Sequence, residues 1–221
     1  MRQSFCLVSV FGPIDLALPR ELWELWAEKL IRALADVYVF PPSQHSDSLT
    51  WASDGSMLPA SAGILDDKSV TGAAMGDKSL ALKIPGCNIS ILHGEQIGLI
   101  ITLVLAGDSV KNDLVTILTD HLNSVRLISD SQTNASQVPH LHYMNGRSYY
   151  RWIPSLVNCN HVAITYTEGH SNTMTLEAKL NDEADFFATS SQKILTELSY
   201  VLTPSFFMNN YTLYSMTDGW I

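Results

Sequence analysis

The chain has 221 residues, of which 46% are hydrophobic and only 16% are charged. This length suits one domain with extensions or two small domains, and the composition excludes collagen-like and disordered chains. The formal net charge of −9 argues against non-specific duplex binding by the whole surface, although it leaves room for nucleic acid bound through metal ions.

The first 48 residues are predicted to form a helical extension followed by a linker. Pro19 suits the first position of a helix, and apolar residues then recur at helical spacing in a stripe that includes Trp23, Trp26 and Leu30. The stripe favours packing against the chain's own core, with a partner-binding surface as the alternative. The helix is expected to end before Pro41-Pro42, and a domain boundary is predicted near residue 48.

The segment 49–191 is predicted to form one α/β domain, and 192–221 a C-terminal extension. Three short extended segments separated by turn-forming residues predict consecutive antiparallel strands at Leu49–Ala52, Gly63–Val70 and Ser79–Ile84. Apolar spacing then predicts, in order, helices Ile89–Leu105 and Val110–Leu122, strand Val125–Ser129, helix Tyr143–Leu156, strand His161–Thr167 and helix Leu176–Ser190. This order of elements indicates a mixed sheet covered by helices.

Four acidic residues occupy informative places in this framework. Asp54 follows the first predicted strand, Glu95 lies in the first turns of an otherwise apolar helix, Asp130 ends the predicted fourth strand, and Asp185 lies in the last helix. If the first and fourth strands are neighbours, Asp54 and Asp130 lie side by side, and the two helices can present Glu95 and Asp185 over them. Four converging carboxylates repel one another unless cations bind, and hard oxygen ligands suit Mg²⁺ or Mn²⁺.

These residues carry a resemblance to the ribonuclease H domains of retroelement polyproteins. The matching pieces, in chain order, are Ser53-Asp54-Gly55-Ser56, Ile91-Leu92-His93-Gly94-Glu95, Ile128-Ser129-Asp130-Ser131-Gln132, Glu168-Gly169-His170-Ser171 and Asn181-Asp182-Glu183-Ala184-Asp185. The resemblance implies a ribonuclease H-like fold: a five-stranded mixed sheet whose first three strands are antiparallel, flanked by helices.

The resemblance also implies a function and a set of roles. The chain is expected to be an endonuclease that hydrolyses the RNA strand of RNA–DNA hybrids with two Mg²⁺ or Mn²⁺ ions, serving reverse transcription in a retroelement, with a fused or associated reverse transcriptase as a possible partner. Asp54, Glu95, Asp130 and Asp185 would bind the metals, and His170 would assist proton transfer or product release. RNA selectivity would come from groove shape and from contacts to the 2′-hydroxyl group.

Two other classes of function stay open. One is a non-catalytic or domesticated module of the same fold that binds protein or nucleic acid. The other is a different nuclease of the superfold, integrase-like or junction-cleaving, because fold does not fix substrate.

The location of the protein is inferred from two features. Three widely spaced cysteines form neither a disulfide framework nor a paired metal motif, which favours a reducing compartment inside the cell, in the nucleus or cytoplasm. The longest apolar run, 97–106, is far shorter than the roughly 20 residues of a transmembrane helix, so no membrane span is predicted.

Overall fold

A five-stranded mixed sheet with helices on both faces organises the chain. The computed structural model describes residues 20–37, 40–47, 49–57, 69–85, 90–109, 113–133, 147–170, 174–194, 214–215 and 219–220. Its strands are β1 (Thr50–Met57), β2 (Ser69–Met75), β3 (Leu80–Pro85), β4 (Val115–Thr119) and β5 (Val162–Tyr166). They lie in the order β3-β2-β1-β4-β5. The first three strands are antiparallel, and β4 and β5 are parallel to β1.

Five helices lie within the described part of the chain. They are α1 (Arg20–Val37), α2 (Ile91–Ser109), α3 (Leu122–Thr133), α4 (Arg147–Cys159) and α5 (Leu176–Ile194). One face of the sheet packs against α2, with α1 and α4 outside it, and the other face packs against α5. Two short strands, β6 (Tyr214–Ser215) and β7 (Gly219–Trp220), pair with each other within the predicted C-terminal extension.

Helix α2 is the central helix of the core. Its apolar side chains are buried nearly all round, so the helix lacks a polar face. By length and composition, Ile91–Asp108 would also be able to cross a membrane, yet most of this window is buried inside the protein, as in the core helix of a globular domain.

The extension before β1 packs against the domain. From α1, Ala27, Leu30, Ile31 and Leu34 are buried in the same apolar core as α2. After α1, the Phe40 ring lies 5.0 Å from that of Phe187 on α5, and the Ser43 hydroxyl donates to the Glu183 carboxylate. Helix α1 is therefore part of this core, which confirms the favoured prediction that it packs against the chain's own domain. The side chains of Trp23 and Trp26 lie outside the described residues.

The sequence-based predictions are wrong between residues 110 and 130. The predicted helix Val110–Leu122 contains strand β4, and the predicted strand Val125–Ser129 is part of helix α3. A short strand buried on both faces is an almost continuous apolar run, which helical spacing can also describe. The first two strands are also longer or later than predicted. The first continues past Ala52 through Asp54 to Met57, and the second runs from Ser69 to Met75, while residues 63–68 of its predicted range lie outside the described residues.

Candidate active site

Three carboxylates meet where β1 and β4 separate. One oxygen each from Asp54, Glu95 and Asp120 lies within 4.8 Å of the others. Asp54 projects from β1, Glu95 from the first turns of α2, and Asp120 directly follows β4. The pairing of β1 with β4 ends at Ala52 and Leu118, so beyond this point the two strands leave room for the side chains.

Glycine at position 55 allows α2 to approach β1 this closely. A β-carbon on Gly55 would collide with the backbone nitrogen of Glu95 and lie 2.6 Å from the carbonyl carbon of Gly94. On the next turn of the helix, a β-carbon on Gly98 would lie 2.6 Å from the carbonyl oxygen of Asp54. The small residues on both sides hold the helix and the strand in backbone contact, and this contact sets the distance between the Asp54 and Glu95 carboxylates.

Burial and mutual repulsion make the charged forms of these acids costly. Asp54 is 4% exposed and Glu95 is 7% exposed. Burial raises the pKa of Asp54 to about 8, with further increases from the charges of Asp120 and Asp185. Burial and the Asp54 charge raise the pKa of Glu95, and burial also raises that of Asp120. Such a cluster is stable in its ionised form only when positive charge is present.

The donor set fits a hard divalent cation. Among the described residues, Asp54 Oδ2 and Glu95 Oε2 are buried side-chain oxygens that accept no hydrogen bond. Buried polar atoms are nearly always satisfied in folded proteins, so two orphaned carboxylate oxygens at one point indicate a missing partner. Carboxylate oxygens are the ligands that Mg²⁺ and Mn²⁺ prefer. The cluster could therefore bind metal ions, and its donors do not select which ion.

Asp185 and His170 lie at the open side of this cluster. The Asp185 side chain is 38% exposed, and its charge raises the pKa values of Asp54, Glu95 and Asp120, which places it near all three. The His170 Nδ1 atom lies 3.9 Å from Asp185 Oδ2, and the His170 side chain is 80% exposed. Both residues predicted from the sequence are thus adjacent to the carboxylates, with the histidine at the rim.

Asp130, in contrast, was placed incorrectly by the sequence analysis. It lies within α3 and not at the end of a strand beside Asp54. Asp120 occupies that strand end. The segment Asp130-Ser131-Gln132 resembles the expected motif locally. A sequence signal for Asp120 is the run of β-branched residues Val115-Thr116-Ile117 just before it, which is typical of a strand that ends at Thr119-Asp120.

The loop after β5 closes against Asp120. The backbone N–H of Thr167 donates to the carbonyl of Thr119 at 3.0 Å, which extends the pairing of β4 with β5 up to the site. A β-carbon on Gly169 would collide with the Asp120 carboxylate, and His170 adopts a positive φ of 52°. The loop can present His170 beside the cluster because residue 169 has no side chain.

His121, which the sequence analysis did not single out, fixes the start of α3. Its Nδ1 accepts the Ser124 backbone N–H at 3.2 Å and lies 2.6 Å from the Ser124 hydroxyl. This is a helix N-cap arrangement, in which a side chain satisfies a free amide of the first turn. It holds the helix start directly after Asp120, and burial lowers the pKa of His121 against the opposing effect of the Asp120 charge.

Comparisons with known proteins support the fold. No protein-family profile matches the chain, and no curated protein matches it in sequence. Among solved structures, the chain is similar to the foamy viral protease-reverse transcriptase in complex with dsDNA, with a TM-score of 0.50 and 13% identity over 70% of this chain and 100% of that one. It also matches LC9-RNase H1, a type 1 RNase H with the type 2 active-site motif, with a TM-score of 0.49 and 15% identity over 72% and 76% of the two chains.

The likeness to the foamy viral chain and the observed strand order confirm the fold class predicted from the sequence. The chain has a ribonuclease H-like fold, a five-stranded mixed sheet with its first three strands antiparallel and helices on both faces. At this level of identity the likeness shows the fold alone. A buried acidic triad in such a fold is compatible with nuclease activity.

Proposed function

We propose that the protein is a metal-dependent endonuclease that hydrolyses the RNA strand of RNA–DNA hybrids. The observation that carries this proposal is the triad of Asp54, Glu95 and Asp120, whose carboxylate oxygens converge within 4.8 Å while two of them are buried and unpartnered. A buried cluster of this kind destabilises the protein unless it binds cations, so its presence is best explained by function.

The chemistry follows from the residues around the cluster. The carboxylates would hold two divalent ions, which when bound would supply an activated water molecule and positive charge for the phosphoryl group and the leaving oxygen. Asp54, Glu95 and Asp120 would hold the ions at the buried side, and the half-exposed Asp185 would complete the ligand set on the side that faces substrate. These four residues replace the predicted set that included Asp130.

His170 would handle protons at the rim of the site. It is exposed and close to Asp185, so its ring can reach substrate without displacing a buried ligand. A histidine there can hold a proton for the leaving oxygen or pass it to solvent. The reaction would not depend on this step alone, because the bound metal ions would supply the charge stabilisation.

The retroelement context is the further part of the proposal. The sequence resemblance supports a role in reverse transcription with a fused or associated reverse transcriptase. Support from structure is limited to the fold shared with the foamy viral chain.

Cleavage of matched duplexes tests the proposed function. RNA–RNA, DNA–DNA and RNA–DNA duplexes of one sequence, with each strand labelled in turn, are incubated with the full chain in Mg²⁺, Mn²⁺ or chelator. We expect cleavage of the RNA strand of the hybrid in either metal and none in chelator. Cleavage of DNA–DNA instead would favour another nuclease of this fold, and a lack of both metal binding and cleavage would favour the non-catalytic module.

A further inference from the structure

A segment that precedes β1 links the two helical layers of the protein. Residues 40–47, the strap, follow α1, which packs on the same face of the sheet as α2. The Phe40 side chain packs against the core on that face, while its ring lies 5.0 Å from the ring of Phe187 on α5, with the two planes at 69°. Because α5 covers the opposite face, the strap joins one layer to the other.

The strap is held in place by its own hydrogen bonds. The backbone N–H of Ser43 donates to the carbonyl oxygen of Gly76, in the turn between β2 and β3, at 2.9 Å. The Ser43 hydroxyl oxygen accepts the backbone N–H groups of His45 at 2.9 Å and Ser46 at 3.0 Å. These bonds hold the Ser43 side chain in a turn that is itself attached to the sheet.

The Ser43 hydroxyl connects this turn to α5. Its lone pairs accept the two amides, which leaves its proton for donation, and the proton is donated to Oε2 of the Glu183 carboxylate. The other oxygen of that carboxylate, Oε1, lies 3.7 Å from His45 Nε2. Glu183 and Phe187 are four residues apart, so they lie on the same flank of α5. The strap therefore contacts this flank over a full helical turn.

Asp185 lies on the other flank of α5. Ala184 is fully buried and packs against the sheet. Successive residues of a helix are about 100° apart, so Glu183 and Asp185 project to opposite sides of Ala184. The strap holds one flank while the carboxylate cluster lies at the other. A rotation of α5 that moves Asp185 must also change the contacts of Glu183 and Phe187 with the strap.

The packing under α5 offers little resistance to such a rotation, because small side chains interlock poorly. The buried apolar residues there are mostly alanines, namely Ala52, Ala73, Ala81, Ala184 and Ala188, with Leu118 and Leu180. Hydrogen bonds of Gln192 hold the end of the helix, but they lie two turns beyond Asp185. The Asp185 charge also raises the pKa of Asp54, so repulsion acts to move Asp185 away from the cluster. The strap contacts are placed to oppose this movement.

We propose that the strap positions Asp185 over the carboxylate cluster, with Phe40 and Ser43 as its positioning residues. This inference rests on the metal-binding part of the proposed function, since it takes Asp185 as a ligand of the ions. Neither Phe40 nor Ser43 would contact a metal ion or substrate, because both act through α5. Residues that orient a metal ligand are typically worth about 10- to 100-fold in metal affinity. The N-terminal extension would thus serve the active site as well as the core.

A simpler interpretation is that the strap only stabilises the fold, and metal binding separates the two. Phe40→Ala and Ser43→Ala are made singly in the full chain, and Phe40→Tyr retains the ring. Leu34→Ala, which removes a buried side chain of α1 from the core on the α2 face, is the matched control for lost stability. Mg²⁺ affinity is measured by calorimetry, and the melting temperature of each protein is measured in chelator.

We expect Phe40→Ala and Ser43→Ala to lower Mg²⁺ affinity about tenfold and to raise the Mg²⁺ concentration for half-maximal hybrid cleavage by the same factor. Phe40→Tyr should bind Mg²⁺ like the unmodified protein. Leu34→Ala should melt earlier but keep its Mg²⁺ affinity. Addition of Phe40→Ala to Asp185→Asn should cause no further loss of affinity, because the ligand that the strap positions is already gone.

Three results would overturn the inference. Both strap variants could melt earlier with unchanged Mg²⁺ affinity, which would make the strap purely structural. Leu34→Ala could lose as much affinity as they do, which would make the loss a general effect of destabilisation. Phe40→Ala could cost the same affinity in the Asp185→Asn background, which would mean that the strap does not act through Asp185.

The outcomes also separate the inference from the proposed function. If the unmodified protein binds Mg²⁺ and shows the dependence on Asp185 but does not cleave the hybrid, the proposed activity is wrong and the positioning role of the strap stands. If the unmodified protein binds no Mg²⁺, the proposed function and the inference fail together.

Discussion

Replacement of Asp54 by asparagine should stabilise the metal-free protein while removing its activity. The carboxyl group has an ordinary pKa of 3.8 and a pKa of about 8 in the folded protein. A raised folded-state pKa means that stability is present below pH 4 and is lost as the pH rises towards 8. At pH 7 the cost to the free energy of folding is about 4 kcal/mol, which is an upper bound because neighbouring acids share the proton.

The asparagine amide recovers only part of this cost. Its polar atoms occupy a buried site where one oxygen is already unpartnered, and an unsatisfied buried group costs about 1–3 kcal/mol. We therefore expect Asp54→Asn to unfold several degrees higher than the unmodified protein at pH 7 in chelator. The difference should shrink as the pH falls towards 4, where both proteins carry a neutral side chain at residue 54.

Calorimetric melting at pH 4, 7 and 8, in chelator and in Mg²⁺, measures these differences. Mg²⁺ should raise the melting temperature of the unmodified protein more than that of Asp54→Asn, because a ligand stabilises the state that binds it. Asp182→Asn, at an exposed position on the same helix as Asp185, is the control and should melt like the unmodified protein. A variant that is destabilised equally at pH 4 and pH 8 in chelator would refute the reasoning from charge repulsion.

Three other predictions concern the site and its support. Asp120→Asn should abolish Mg²⁺-dependent cleavage of a labelled hybrid while Asp130→Asn leaves it close to normal, and equal loss in both would contradict the position of Asp120 at the end of β4. His170→Ala should slow single-turnover cleavage by about a hundredfold, the usual worth of general acid–base help, without abolishing it; an unchanged rate would exclude a role in proton transfer. Deletion of residues 1–40 should lower the melting temperature or cause aggregation, because it uncovers the core surface that Leu30 and Ile31 bury, and a soluble truncation of equal stability would show that α1 is dispensable.

The sequence predicted the fold because its long elements have clear patterns, and it singled out Asp54 and Glu95, two of the three acids that the structure brings together. The helix around Glu95 could be recognised by its long apolar stretch, in which an ionisable residue is conspicuous. The helix around Asp185 could be recognised by its amphipathic spacing. The alternation of these helices with short strands was enough to indicate a mixed sheet, and the structure confirms it.

The strand that carries Asp120 could not be identified from spacing alone. Leu114, Ile117 and Leu118 suit one face of a helix, but Ile117 and Leu118 also suit a strand buried on both sides, and only packing against neighbouring strands selects the strand. Asp54-Gly55 similarly resembled a turn. In the structure Gly55 lies inside β1, because α2 passes so close that a side chain cannot fit there.

The origin of the carboxylates along the chain bears on how the protein folds. The parallel pairing of β1 with β4 joins residues 50–52 to residues 116–118. Strand β4 can reach this position only after α2, which precedes it in the chain, has crossed over the face of the sheet. Because Glu95 lies at the start of that crossover, the step that completes the sheet also brings the three acids together. Formation of the sheet is thus opposed by their repulsion at neutral pH, and the long sequence separation of its strands slows it further. Divalent ions that bind the assembled cluster should slow unfolding much more than they speed folding, so that refolding and unfolding rates would respond to Mg²⁺ unequally.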